Sequence, residues 1–237
     1  FDSICHSFAT IATGGFSTKN ASIAYFNNSA VHYIIIFFMF SSGINFSLHF
    51  RAISGDFKIY LRDLEFIVYL LITLFVTFII FYSISSFSQN FSMDNFRESF
   101  FATVCMLTST GFVLADYEIW PIFVQMIILI LMFIGGMGGS TTGGLKIIRI
   151  ILLGKYTALE TRRMLHSRAI IPVKIGKQLI VEDVVRNTLG YFLFFMSVFI
   201  LSALMLSSMG LNMESSIGAA ASAMGNIGPA LGDFGPK

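Results

Sequence analysis

Residues 99–115, SFFATVCMLTSTGFVLA, contain no charged side chain, but at 17 residues they are too short to be a comfortable membrane-spanning helix. The stretch follows Glu98 and ends in small and polar residues around Gly111. A short helix followed by an extended turn explains this pattern. Such re-entrant backbone is tolerated in a membrane only where it is buried in protein or lines an aqueous cavity. The stretch therefore predicts a pore loop.

The same unit occurs twice more in the chain. Residues 215–231 read SSIGAAASAMGNIGPAL, and the first 17 residues read FDSICHSFATIATGGFS. The glycines that we align in the three units are Gly14, Gly111 and Gly228. A unit that recurs in this way predicts repeats in which an outer helix, a short re-entrant helix, an extended turn and an inner helix follow one another.

Each unit has an acid at or near its start: Asp2, Glu98 or Glu214. A carboxylate stabilises the positive end of a helix dipole, so all three are expected in the first turns of the short helices. They are either ordinary N-terminal acids or groups that also attract cations to the outer mouth.

The composition is that of a membrane protein. The chain is 55% hydrophobic and only 12% charged, whereas soluble domains have about 25% charged residues. Uncharged stretches long enough to cross a bilayer lie at 31–50, 66–87 and 187–211. A fourth apolar segment, 119–153, is interrupted by glycines. Since the chain begins at Phe1, we expect it to be an internal piece of a longer protein.

Basic residues indicate the orientation. Of the 15 Lys and Arg residues, most lie in 51–62 and 146–186, so the positive-inside bias places 51–65 and 154–186 in the cytoplasm. The second basic segment fits a lipid-facing topogenic role and also a docking site for a cytoplasmic partner. These two interpretations are compatible.

The interruption of the fourth apolar segment reads GGMGGSTTGG at residues 135–144, with six glycines in ten positions. A nucleotide-binding P-loop is excluded because Leu145 stands where the motif needs lysine. A glycine-rich helix-dimerisation face remains an alternative, but it explains neither the number of glycines nor their place after a pore loop. Lys146 is either a positive barrier to cations or a lysine that snorkels to the inner interface.

Other chemistry is weakly represented. Cys5 and Cys105 have no redox or ligand spacing, and the four histidines form no metal-binding pattern. The predicted spans contain no Asp or Glu, so an intramembrane enzyme is a remote alternative and we expect no catalytic residues and no transition metal. An amino-acid or sugar carrier is a further alternative, but such a carrier is expected to have a pair of broken helices at matching places in its two halves, and this sequence lacks that pair.

Pore-loop repeats that carry ATGGF, TSTGF and GNIGP resemble the Trk/Ktr/HKT superfamily of potassium transporters, and most closely the pore subunits of bacterial Trk potassium uptake systems. The resemblance implies an all-α polytopic membrane protein in which helix–pore loop–helix pseudo-repeats surround a single ion pore, as in potassium channels. It further implies K⁺ uptake across the bacterial inner membrane, with a Na⁺-permeable or Na⁺-coupled transporter as the alternative. Channel-like transport and symport both remain open.

The resemblance also divides the chain and implies its partners. The expected parts are the end of the second repeat at 1–50 (pore loop 1–16, inner helix 31–50), the third repeat at 64–165 (outer helix 66–87, pore loop 97–113, inner helix 119–165 broken at 135–144), a basic cytoplasmic linker at 166–183, and the start of the fourth repeat at 184–237 (outer helix 187–211, pore loop 214–230). The implied partners are membrane lipid, a second copy in a homodimer and a cytoplasmic nucleotide-binding regulatory subunit, but no nucleic acid.

The resemblance implies the site residues as well. The ion-binding filter would consist of Ala12, Thr13, Gly14, Gly15, Ser109, Thr110, Gly111, Phe112, Asn226, Ile227, Gly228 and Pro229. The carbonyls of 12–13, 109–110 and 226–227 would bind K⁺, the transported ion, and the chain would bind no other cofactor. Thr13 and Thr110 resemble the threonine of potassium-channel filters, from which Ile227 departs. The gating loop would consist of Gly135, Gly136, Gly138, Gly139, Ser140, Thr141, Thr142, Gly143, Gly144 and Lys146.

Overall fold

Helices make up most of the structure, a computed structural model that describes residues 1–165, 174–175, 178–179 and 181–236. In chain order the α-helices are α1 Asp2–Ile11, α2 Ser29–Ser42, α3 Phe46–Ile53, α4 Ile59–Arg62, α5 Leu64–Ser88, α6 Met93–Leu107, α7 Ile122–Ile134, α8 Ile147–Leu165, α9 Glu182–Ser208 and α10 Met213–Gly225. Short 3₁₀ turns lie at Ser22–Tyr25, Tyr117–Ile119 and Gly232–Phe234. Two-residue strands, β1 Lys174–Ile175 and β2 Gln178–Leu179, pair antiparallel.

Among the described residues, two helices are each long and apolar enough to cross a membrane. These are α5, with a mean hydropathy of 2.6, and the Asp183–Ser208 part of α9, with a mean hydropathy of 2.3. Large apolar side chains such as Phe75 on α5 and Phe194 on α9 are exposed, as expected for a surface that faces lipid. Of the predicted linker 166–183, residues 166–173, 176–177 and 180 lie outside the described residues.

The prediction of one inner helix over 31–50 is wrong. The segment forms two helices, α2 and α3, whose axes differ by 101°. The break is at Gly43, where a Cβ would collide with the Tyr69 hydroxyl. Asn45 then starts α3 as its N-cap, and its side chain accepts a hydrogen bond from the Ser47 N–H (2.8 Å). We call residues 43–45 the elbow.

The short helices α1, α6 and α10 have the acids that the sequence suggested, with one exception. Asp2 and Glu214 lie in the first turns of α1 and α10. The helix α6, however, starts at Met93 because the Ser92 side chain caps it by accepting from the Asn95 N–H. Asp94 therefore occupies the first turn, and the first-turn position expected for Glu98 is wrong.

The core lies around α6. Its residues from Phe101 to Leu107 are buried between α2, α5 and α7. Tyr69 of α5, Met106 of α6 and Ile128 of α7 pack in one cluster and are almost fully buried. A re-entrant helix surrounded by spanning helices keeps its C-terminal end within the protein, which is where irregular backbone can be tolerated at membrane depth.

Candidate functional site

The three short helices α1, α6 and α10 end in the same backbone motif. Each is followed by a residue in the left-handed region, at Thr13 (φ 50°), Ser109 (φ 49°) and Asn226 (φ 56°). The next N–H then returns to a carbonyl five residues back. The three pairs are Gly14 to Ala9 (2.8 Å), Thr110 to Cys105 (3.0 Å) and Ile227 to Ser222 (3.0 Å). This is the six-to-one hydrogen bond of a Schellman helix end, and it aligns the three pore loops residue by residue.

The alignment changes one assignment made from sequence. The residue two positions after the left-handed one is Gly15 (φ 67°), Gly111 (φ 81°) or Gly228 (φ 111°). Gly14 does not have a positive φ. The equivalence of Gly14 with Gly111 and Gly228 is therefore wrong by one residue, because two adjacent glycines fit the sequence pattern equally well.

The same shift applies to the neighbouring positions. Thr13 aligns with Ser109, not with Thr110, and Gly14 occupies the place of Thr110 and Ile227. The parallel that the sequence suggested between Thr13 and Thr110 is therefore wrong. The carbonyls of the first loop that match 109–110 and 226–227 are those of Thr13 and Gly14, and Ala12 precedes them as the helix cap.

The three loops meet through these glycines. A Cβ built on Gly15 would lie well under 3.0 Å from the carbonyl oxygen of Thr110, and one on Gly111 would lie closer still to the carbonyl oxygen of Ile227. Each glycine thus faces the carbonyl that precedes the glycine of the next loop. Gly228 has no such neighbour within 4 Å in the described part of the chain.

An open cavity of ≈ 480 Å³ lies where the loops meet. It is lined by residues of all three, including Gly15, Gly111 and Gly228. The side chains beside it point elsewhere: Thr110 is fully buried and its hydroxyl is bonded to that of Thr108 (2.7 Å). Phe112 is buried as well, and its carbonyl accepts from the Cys105 thiol (3.1 Å). The side chains of Thr110 and Phe112 are therefore held within the protein and do not line the cavity.

The glycine-rich segment 135–146 contacts the ends of all three pore loops; we call it the glycine loop. The Thr13 hydroxyl donates to the Thr141 carbonyl (3.1 Å), and the Ser109 hydroxyl accepts from the Gly143 N–H (2.6 Å). A Cβ on Gly143 would collide with the carbonyl oxygen of Gly225. Glycine at 143 thus allows the loop to lie directly against the end of α10.

Backbone hydrogen bonds join the C-terminal end of the glycine loop to the end of α7. Leu145 donates to Phe133 (3.0 Å) and Lys146 donates to Ile134 (2.9 Å). Within the loop, the Lys146 ammonium donates to the carbonyl and the hydroxyl of Thr142. The loop itself holds this cation, so Lys146 contributes to loop structure, which neither sequence interpretation had included.

Other contacts of the glycine loop were not predicted from sequence. Met137 donates to the Gly43 carbonyl of the elbow (2.9 Å), and Phe46 of α3 donates to the Gly139 carbonyl (3.2 Å). Glu65 of α5 also contacts the loop. A glycine followed two residues later by an Asn cap was the available signal for the elbow, whereas Glu65 had no such signal.

Asp2, in the first turn of α1, is paired with neighbouring side chains. The Asp2 carboxylate accepts from the Thr18 hydroxyl (2.8 Å) and forms an ion pair with Lys19 (3.1 Å). This pairing leaves Asp2 less able to attract cations than its formal charge suggests. Among the described residues, no group of three or more His, Cys, Asp or Glu side chains is placed to hold a metal ion.

Comparison with known proteins places this geometry among cation transporters. The TrkH family model, described as "Cation transport protein", matches residues 1–236. The "Trk system potassium uptake protein TrkH" of Escherichia coli K12 is 37% identical over 238 residues, which cover 98% of this chain and 48% of that protein. The protein of the same name from Vibrio parahaemolyticus is 38% identical over 237 residues, covering 98% of this chain and 49% of that protein.

A solved structure is also similar. The crystal structure of the potassium transporter TrkH from Vibrio parahaemolyticus superposes with a TM-score of 0.92 at 37% identity. The match covers 98% of this chain and 51% of that one. The chain thus spans about half the length of the curated relatives it matches.

Proposed function

The chain belongs to the TrkH family of cation transport proteins, and from this premise we propose that it forms part of a K⁺ uptake pore with a filter of backbone carbonyls. The predicted family and the all-α membrane fold of pore-loop repeats are confirmed by the matches. Membership of a transporter family also confirms that the chain is not an enzyme.

The observation that carries the proposal is the meeting of three pore loops with one backbone geometry. Carbonyl groups that converge on an axis can replace the hydration shell of K⁺. Each short helix ends at its loop, so its negative dipole end favours a cation in the same place. In the corrected alignment the proposed ion-binding carbonyls are those of 13–14, 109–110 and 226–227, and each pair is followed by a glycine with a positive φ, namely Gly15, Gly111 or Gly228.

The glycine loop is the proposed gate. It contacts the ends of α1, α6 and α10 from residues Thr141 and Gly143. These contacts are hydrogen bonds to hydroxyls and close backbone approaches, which can be released without unfolding a spanning helix. Displacement of the loop would then let ions leave the filter toward the cytoplasm.

The driving force and the partners follow from the family premise. A membrane potential contributes about 2.3 kcal/mol per 100 mV for each monovalent cation that enters. We propose that the complete protein works in the bacterial inner membrane as a homodimer surrounded by lipid, controlled by a cytoplasmic nucleotide-binding subunit. The basic residues of 154–186 are the proposed site for that subunit.

A complementation assay tests the function. The full-length parent gene, expressed with its regulatory subunit, should restore growth at low K⁺ and ⁸⁶Rb⁺ uptake in cells that lack their own K⁺ uptake. Gly111→Ala should abolish this uptake. The matched control is Gly154→Ala in α8, where a Cβ meets nothing within 4 Å, so uptake should persist.

Competition by Na⁺ separates the two transport hypotheses. Uptake that Na⁺ barely inhibits supports a K⁺ pore, whereas strong inhibition favours a Na⁺-permeable or Na⁺-coupled transporter. Ile227 occupies the position that aligns with Thr110, and this loss of a threonine would explain strong inhibition by Na⁺. Absence of uptake despite normal protein in the membrane and a co-expressed regulator would contradict the proposal.

A further inference from the structure

One carboxylate joins both sides of the glycine loop. Oε1 of Glu65, in the first turn of α5, accepts from the Gly138 N–H (2.7 Å) and from the Ile148 N–H (3.0 Å). Gly138 lies in the first half of the loop, and Ile148 is the second residue of α8, which follows the loop. A single side chain of the outer helix thus holds backbone on either side of the loop.

The chemistry of these two hydrogen bonds is specific. The Ile148 N–H is one of the first N–H groups of α8, which have no partner within the helix. A carboxylate at this position also stabilises the positive end of the helix dipole. A Cβ at Gly138 would lie 3.7 Å from Glu65 Oε1, which is ordinary van der Waals contact, and 3.3 Å from the Ile148 side chain, so the bond to Glu65 does not depend on glycine at 138.

Glu65 differs from the other groups that hold the loop. The bonds to the pore loops and to the elbow are made by hydroxyls and backbone groups of neutral residues, such as Thr13, Ser109 and Gly43. Hydrogen bonds to an ionised acceptor are about twice as strong as neutral ones. Among the bonds described here between the loop and other segments, the charge-assisted ones therefore come from the outer helix rather than from the pore, whereas the Lys146 ammonium bonds within the loop itself.

We propose that Glu65 is a positioning residue that latches the glycine loop in the conformation described here. Movement of the loop then requires both N–H groups to leave the same carboxylate, so the two sides of the loop are released together. This inference rests on the proposed function of the loop as a gate. It assigns the control of that gate to α5, whose remaining length packs on α6 and α7.

The variant Glu65→Gln tests the latch. The amide keeps the length and one acceptor oxygen but loses the charge, so both bonds weaken and the loop is released more often. We expect the unstimulated ⁸⁶Rb⁺ leak of the full-length protein in liposomes to rise about tenfold, which corresponds to about 1.4 kcal/mol. Glu65→Asp, which keeps the charge but shortens the reach, should raise the leak as well.

The matched control is Asp63→Asn. Asp63 is also an acid at the start of α5, but its side chain accepts from the Phe66 N–H of its own helix. Its loss weakens the cap of α5 and leaves both bonds of Glu65 in place. The leak through Asp63→Asn should remain within twofold of the parent.

Amide hydrogen exchange provides a readout that does not depend on transport. In Glu65→Gln, exchange should accelerate in peptides that cover 137–148 and stay unchanged in the rest of α5 and in α6. General acceleration across α5, α6 and α8 would mean that Glu65 only stabilises the fold, which would overturn the latch. Unchanged exchange at 137–148 together with an unchanged leak would overturn it too.

The two proposals fail in different ways. If the parent protein with its regulator carries no ⁸⁶Rb⁺, the proposed function fails, and selective exchange at 137–148 in Glu65→Gln would still establish the latch as a structural contact. If the parent conducts but Glu65→Gln lowers the flux with normal folding, the function stands and the latch is wrong.

Discussion

Substitutions of Gly14 and Gly15 give the sharpest test of the site, because the two neighbours have different backbone geometry. Gly15 has φ 67° and its Cβ would meet the Thr110 carbonyl oxygen, whereas Gly14 has no positive φ and its Cβ would be 3.4 Å from the Phe16 ring. The structure therefore predicts that Gly15→Ala is severe and Gly14→Ala mild, although the sequence alone pointed to Gly14.

The size of the effect follows from two costs. A non-glycine residue in the left-handed region costs about 1–3 kcal/mol. The Cβ would also overlap the Thr110 oxygen by roughly 1 Å, and overpacking of this kind typically costs another 1–3 kcal/mol. Part of this cost will be relieved by movement of the carbonyl, which removes it from its place beside the cavity. We therefore expect Gly15→Ala to lose at least about tenfold in ⁸⁶Rb⁺ uptake or in discrimination against Na⁺.

The assay compares Gly14→Ala, Gly15→Ala and the parent in full-length protein at equal membrane abundance. Initial ⁸⁶Rb⁺ uptake is measured with and without excess Na⁺, and thermal unfolding in detergent measures stability. Gly14→Ala should stay within about threefold of the parent, since 3.4 Å is ordinary van der Waals contact. Equal damage from both substitutions, or greater damage from Gly14→Ala, would refute the corrected alignment.

Three further substitutions test the surroundings. Gly228→Ala should cost less than Gly15→Ala, about 1–3 kcal/mol of unfolding free energy in a thermal melt, because it has backbone strain without a collision. Gly143→Ala should push the glycine loop from the Gly225 carbonyl and raise the ⁸⁶Rb⁺ leak of liposomes severalfold; an unchanged leak would mean that the loop does not block. Lys146→Met should raise the same leak by about tenfold through loss of its bonds to the loop, and reduced leak would contradict this.

Pattern alone was enough to locate the pore loops. An acid, an uncharged stretch too short to span and a glycine cluster are local features, and they recur in one order at 1–17, 99–115 and 215–231. The interruption at 135–144 was equally visible, since six glycines in ten residues destabilise any helix. Both features depend on backbone preferences, which a sequence displays directly.

The remaining features depend on contacts between distant residues. The choice between Gly14 and Gly15 follows from the residue at which α1 ends and from the contact of Gly15 with the Thr110 carbonyl, and no local pattern reveals that contact. The elbow was missed because apolar residues on both sides of Gly43 look like one span. Glu65 was missed because its partners are backbone N–H groups 73 and 83 residues away, and every residue except proline has such a group.

The position of the glycine loop has a consequence for biosynthesis. Thr141 of the loop contacts Thr13, which lies 128 residues earlier in the chain. Gly143 of the loop contacts Gly225, which is translated after the loop. Because chains fold from the N-terminus as they emerge from the ribosome, the loop is made before α10 exists. The set of residues that the loop contacts is incomplete until α10 enters the membrane. A nascent chain stalled between the loop and α10 would therefore contain a loop that contacts Thr13 and Ser109 but lacks its contact with Gly225, and the translocon or a membrane protease would meet these glycines before the ion pathway is assembled.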